Sequence, residues 1–136
     1  MSQENVDVAR RSNDAFKRGD WETFAEALDP DVVLRPDRTW PEQRIYGRAA
    51  ALEFYRSASE TFGPDSSIEE IMDLGDRLLI RARWATRGQH SGIETDLTLS
   101  EVVTYRDGCA VLIEYFLDHH EALKTVGLED APPAAR

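Results

Sequence analysis

Between Asp96 and Asp118 the chain reads DLTLSEVVTYRDGCAVLIEYFLD, two alternating runs on either side of a single Asp-Gly pair. That pattern constrains the fold more than any other stretch, because the two central residues of a type I′ hairpin turn need φ > 0 and Asp-Gly supplies them. With Asp107 and Gly108 at the turn, register follows by counting. Arg106 then faces Cys109, Val103 faces Leu112, and Glu101 faces Glu114. Directly opposed side chains have Cβ atoms about 4.5–5.5 Å apart, where like charges destabilise. Counting therefore predicts a carboxylate pair that a purely structural strand would avoid, with Val102, Val111, Ile113, Tyr115 and Leu117 together on the opposite face.

The rest of the chain supplies what such a hairpin packs against. A stripe of Val6, Ala9, Asn13 and Phe16 predicts a first helix that Gly19 stops. Asp20 caps a second short helix from Trp21 to Leu28, and Asp29-Pro30-Asp31 reads as a turn. Val32 to Leu34 begins a strand that Pro36 ends or places at an edge. The segment from Asp37 to Arg44 reads as an irregular loop, and a helix follows from Gly47 to Phe62. Strands are expected at Ile68–Leu74 and Arg77–Arg87, and a short helix at Glu121–Val126. Helices first and then a run of antiparallel strands is an α+β order. The expected architecture is a cone-like, curved, mainly antiparallel sheet wrapped around the N-terminal helices.

Length and charge bound the function. The 136 residues predict one domain, 1–136, with a core of about 6–128 and a flexible tail at 129–136. A net charge of −10 argues against nucleic-acid and anionic membrane surfaces as partners. One cysteine and three histidines assemble no zinc-type cluster, and no run of apolar residues has signal-peptide or membrane-span length. A cytoplasmic protein with neither metal nor cofactor is expected.

Several short motifs carry a resemblance. They are Arg18-Gly19-Asp20-Trp21, Leu28-Asp29-Pro30-Asp31-Val32, Gly47-Arg48-Ala49-Ala50, Leu74-Gly75-Asp76-Arg77, Arg106-Asp107-Gly108 and Glu121-Ala122-Leu123. Together, over about Val6 to Leu128, the chain resembles the SnoaL-like polyketide-cyclase branch of the nuclear transport factor 2-like superfamily. The resemblance implies the cone fold, and a family of cyclases, isomerases, dehydratases and proteins of no known activity. Steroid isomerases of the superfamily use a tyrosine on the first helix and an aspartate base on the first strand. Ser12 stands at the first position and Pro36 at the second, with Asp37 one residue out of phase, so that chemistry is disfavoured. SnoaL-type cyclases look to have a carboxylate on the last strand, where Glu114 is similar in place, and a histidine on the strand before, where this chain has Glu101.

The expected site is therefore Glu101 and Glu114 as catalytic carboxylates, with Trp40, Tyr46, Arg83, Trp84, Phe116 and Asp118 binding a ligand. Enclosed together, the two glutamates would push their pKa values apart, leaving one neutral to donate and one charged to accept. Alternatively they lie on an open rim or pair with Arg81 or Arg83. Whether the arginines or Trp84 face the interior stays open, since a register slip of one residue flips every side chain. Asp118 is either a third pocket acid or the N-cap of the last helix. Two function classes follow. One is an acid-base enzyme acting on a small, apolar carbonyl or polyketide-like compound; the other is a ligand-binding or assembly module in which the glutamates are structural. In either class, the apolar face opposite Glu101 predicts a homodimer.

Overall fold

The computed structural model describes residues 2–87 and 94–128; the tail and His90 lie outside the described residues. Three helices and a two-stranded start precede the meander. They are α1 (Ser2–Arg18), α2 (Trp21–Glu26), β1 (Leu28–Arg35), β2 (Ile45–Tyr46) and α3 (Arg48–Phe62). Then come β3 (Asp65–Asp73), β4 (Arg77–Arg87), β5 (Glu94–Arg106), β6 (Cys109–Phe116) and α4 (His119–Thr125). The six strands form one sheet in the order β2-β1-β6-β5-β4-β3, antiparallel except where β1 runs parallel to β6. This is the α+β arrangement expected, with α1 to α3 against one face of a mostly antiparallel sheet and α4 on the other.

The turn chemistry works as the residues dictate. Asp107 and Gly108 have φ of 53° and 78°, both in the region a type I′ turn requires. The Asp20 carboxylate accepts from the Thr23 N–H at 3.1 Å and starts α2. Asp29-Pro30-Asp31 is an irregularity inside β1 rather than a turn before it, because the β1–β6 register shifts between Leu28 and Val33. The Asp29 carboxylate accepts from the Asp31 N–H at 2.9 Å and closes that kink.

One departure governs everything about the site. Arg106 pairs with Cys109 and Tyr105 with Ala110, but Thr104 then pairs with Leu112, so Val111 is an extra residue on β6. Beyond this bulge Val103 faces Ile113, Val102 faces Glu114, and Glu101 faces Tyr115. A bulge bends its strand and adds twist, which is what a sheet curling over helices needs. It also exchanges the two faces of β6. Ala110, Ile113, Tyr115 and Leu117 turn inward, while Leu112, Glu114 and Phe116 turn outward.

Two apolar clusters result. The larger lies between the concave face and the helices, around Ala15, Val32, Leu34, Ala51 and Leu78, all wholly buried. The smaller sits on the outer face, where α4 lays Ala122 over Leu79, Val102 and Phe116. The expected apolar patch of Val102, Val111, Ile113, Tyr115 and Leu117 does not exist as a surface, since the last three face inward and α4 covers Val102. No helix among the described residues is long and apolar enough to cross a membrane.

Candidate active site

The concave face and α1 to α3 line a partly open cavity of about 280 Å³, near the small end of ligand pockets. Its walls are mainly apolar, with a cluster of aromatic rings from the helices and β4. Tyr55, on α3, meets Phe24 edge-on at 4.7 Å between ring centroids and Phe54 at 5.8 Å. Trp84, from β4, meets Phe62 at 5.7 Å and donates its indole N–H to the Gly63 carbonyl at 2.9 Å. Such edge-to-face pairs fix ring orientation and contribute about 0.5–1.5 kcal/mol each beyond burial. The indole is thereby pinned as a wall.

Into this wall β5 places one carboxylate. Glu101 lies between Ile80 on β4 and Tyr115 on β6, with Leu99 and Val103 as its inward neighbours on β5. The Tyr115 hydroxyl hydrogen-bonds the carboxylate, and the Tyr55 and Tyr115 hydroxyl oxygens are 2.7 Å apart. With Tyr115 donating to Glu101, Tyr55 donates to Tyr115. Burial pushes the Glu101 carboxyl up to about 7, although the bond from Tyr115 favours the charged form. Burial and the nearby Glu101 charge hold Tyr55, Tyr105 and Tyr115 far above the ordinary phenol range. All three are donors at any working pH. The arrangement is a carboxyl of raised pKa beside a relay of two phenols in an apolar chamber, which can take a proton from a bound molecule and return it.

The other expected site residues separate by face. Trp40 lines the cavity from the loop after β1, against Phe54 and Phe62, and Trp84 lines it from β4. Glu114 does not join Glu101: the bulge turns it outward, where it forms a salt bridge with Arg35. Phe116 is also outside, buried under α4, with the Arg35 guanidinium 5.9 Å from its ring centre. Arg83 is exposed on the outer face, because Trp84 takes the inner one, and Arg81 reaches Glu70 at 3.5 Å. Asp118 is the N-cap of α4, accepting from the His120 N–H at 2.9 Å, not a pocket acid. Tyr46 pairs with Val33 at the sheet edge and stands 67% exposed, away from the cavity.

Counting without the bulge leaves Tyr115 on the outer face and misses its place beside Glu101, and Tyr55, on α3, carries no signal that joins it to them. Asp37, one residue out of phase with the expected base position, lies at the cavity wall with both oxygens engaged. One accepts from the Leu117 N–H at 2.7 Å, the other from the Thr39 N–H at 3.0 Å and hydroxyl at 2.6 Å. Partial burial works to raise its pKa, but these bonds outweigh it and hold the carboxyl below its ordinary value. Asp37 ties the Trp40 loop to the end of β6.

The position of Glu114 carries a prediction. Glu114→Gln removes a partly solvated ion pair and nothing in the cavity, so it should cost about 1 kcal/mol in a denaturant melt. Ligand binding and any turnover should be unchanged.

With this geometry in place, comparison gives the family. The SnoaL-like domain profile matches residues 9–113, and the chain belongs to that family. A protein designated a SnoaL-like polyketide cyclase, from Jannaschia sp. CCS1, superposes with a TM-score of 0.77 at 22% identity, over 98% of this chain and 96% of that one. An NTF2-like protein of unknown function from Burkholderia pseudomallei K96243 gives 0.74 at 22% identity, over 93% and 99%. One designated a ketosteroid isomerase, from Kribbella flavida DSM 17836, gives 0.70 at 22% identity, over 85% and 78%. No curated protein sequence matches significantly. At these identities the superpositions establish the cone fold of the nuclear transport factor 2-like superfamily.

Proposed function

We propose that the chain is a cytoplasmic, cofactor-independent enzyme of the isomerase or cyclase type, moving a proton on a small, apolar carbonyl compound. The observation that carries this is the Glu101 carboxyl buried in the wall of an apolar cavity, its pKa raised by that burial, hydrogen-bonded to Tyr115 and through it to Tyr55. A general base works best when its pKa lies near the operating pH. Glu101 takes a proton from the carbon beside the carbonyl, and the C–H electron pair moves into a new C=C bond while the carbonyl oxygen becomes an enolate. Once protonated, Glu101 holds the Tyr115 hydroxyl less strongly, which frees that O–H to donate to the enolate oxygen as its charge develops. Return of that proton to a conjugated carbon completes an isomerisation with no other reactant; where the Glu101 proton is first exchanged with solvent, reprotonation of the same carbon delivers a solvent proton and the original one is lost to water. The similarity to a designated polyketide cyclase supports the substrate class, while Ser12 and Pro36 keep steroid isomerase chemistry disfavoured.

The test is α-proton exchange of 4-phenylcyclohexanone in deuterated buffer, followed by proton NMR. Accelerated loss of the α-proton signal with the wild-type chain is expected. Binding without exchange would overturn the catalytic reading in favour of a ligand-binding module.

Pairing of two copies through the outer face belongs to the same proposal, now resting on the row of Val33, Leu112 and Thr104 across β1, β6 and β5. Light scattering at micromolar concentration should give twice 15.4 kDa; the monomer mass would reject it.

A further inference from the structure

The cavity has a second polar region that acid-base chemistry at Glu101 does not use. Ser12 and Asn13, on the last turns of α1, and Ser66, at the start of β3, line it and are half-buried. The Asn13 amide nitrogen donates to the Ser66 backbone carbonyl at 3.1 Å, so its orientation is fixed by the protein. Its carbonyl oxygen and the hydroxyls of Ser12 and Ser66 have no hydrogen-bond partner among the described residues. Three polar groups are thus held at the wall of an otherwise apolar chamber with their bonding capacity spare.

Sheet register places this region well away from the carboxylate. Ser66 pairs with Trp84, Trp84 pairs with Leu97, and Leu97 is four residues along β5 from Glu101. At ordinary strand geometry that is about 13 Å along the sheet and about 10 Å across it. A single ring cannot touch both ends.

We propose that Ser12, Asn13 and Ser66 form a distal subsite for a hydroxyl group carried at the far end of an elongated, otherwise apolar ketone whose carbonyl lies at Glu101. This deepens the functional reading above and rests on it for the near end. The Asn13 carbonyl oxygen accepts the ligand O–H, and the Ser12 and Ser66 hydroxyls donate to its oxygen. A wholly apolar ligand would strip water from all three groups and return nothing, and such unpaired groups cost about 1–3 kcal/mol each. Sites built to bond a hydroxyl discriminate against its absence far more strongly than apolar walls discriminate shape.

Calorimetric titration with 4-phenylcyclohexanone and 4-(4-hydroxyphenyl)cyclohexanone tests the subsite directly. The wild type should bind the hydroxylated ketone at least about tenfold more tightly, the equivalent of one retained hydrogen bond. Asn13→Leu should bring the two ketones level, weakening the hydroxylated one and tightening the unhydroxylated one, which no longer strips water from the amide. Ser12→Ala, a milder change that leaves the Asn13–Ser66 bond intact, should reduce the preference about threefold. Glu101→Gln should keep the preference in full. Equal binding of both ketones by the wild type, or a preference that survives both subsite variants, would overturn the proposal. A hydroxyl preference with no α-proton exchange on either ketone would remove the base from Glu101 and leave the subsite standing. Failure of both ketones to bind would reject the two together.

Discussion

Glu101→Gln should abolish α-proton exchange, lowering the rate by about two to four orders of magnitude, the range that positioned general bases contribute. The substitution is close to isosteric and keeps an oxygen that can accept from Tyr115, so the chamber and the Tyr55–Tyr115 contact should persist. What disappears is a group able to hold the abstracted proton. The pH profile separates this from mere disturbance of the cavity. For wild type the exchange rate should climb through an apparent pKa of about 7 and level off above it, because the ionised carboxylate is the active form. Tyr115→Phe should behave differently: it removes the enolate donor and one bond that favours the charged form of Glu101, so the rate should drop and the profile should move to higher pH. A Glu101→Gln chain that exchanges at the wild-type rate would sink the mechanism, and NMR on one ketone sample reads the result.

Local chemistry was legible in the chain and its consequences for the fold were too. Asp-Gly at 107–108 names its own turn, Asp20 and Asp118 occupy their caps, and helix-before-meander order leaves the cone as the natural way to cover a semi-apolar sheet. The site was less so, and one residue explains most of the difference. A bulge inserts Val111 without a compositional mark, since valine suits either a regular or a bulged position, yet every side chain beyond it changes face. That single step sent Glu114 and Phe116 outward, brought Tyr115 inward, and replaced a repelling pair of carboxylates with a carboxylate and a phenol. The same ladder decided Trp84 over Arg83, which no pattern within β4 distinguishes. Tyr46, expected in the ligand site, stands instead on an edge strand, Ile45–Tyr46, whose two residues leave too short a trace to recognise. Glu101 stands out in the sequence because counting sets it opposite a second carboxylate, and the bulge, lying on β6, changes its partner without moving it from the inner face.

Stability should also carry the signature of the buried carboxylate. Displacing Glu101 from its ordinary value of 4.5 to about 7 corresponds to roughly 3 kcal/mol of preference for the neutral form. Between those two pH values the folded chain keeps a proton that the unfolded chain has released, so this contribution is complete below about pH 4.5 and is lost as pH rises through about 7. Other groups run the opposite way. Asp37 is held below its ordinary value by its bonds to Thr39 and Leu117, so its contribution is lost as pH falls. His119, on α4 against the buried Ser100, is pushed down by burial and by Arg81, so the unfolded chain takes up a proton first and acid again destabilises. The wild-type curve is therefore a sum of opposed slopes, and only the difference between it and Glu101→Gln isolates the one group. That difference should be near zero at pH 4 and should grow until the variant is more stable by roughly 3 kcal/mol at pH 8, about 10 °C in melting temperature for a chain of this size. The gain comes from removing a charge the cavity cannot solvate, and the same substitution removes the activity, which is the usual opposition between stability and a site built for chemistry. Paired urea melts at pH 4, 6 and 8 check the point. Parallel pH curves for the two chains would mean that Glu101 ionises as freely in the fold as out of it, and the poised base would have to be given up.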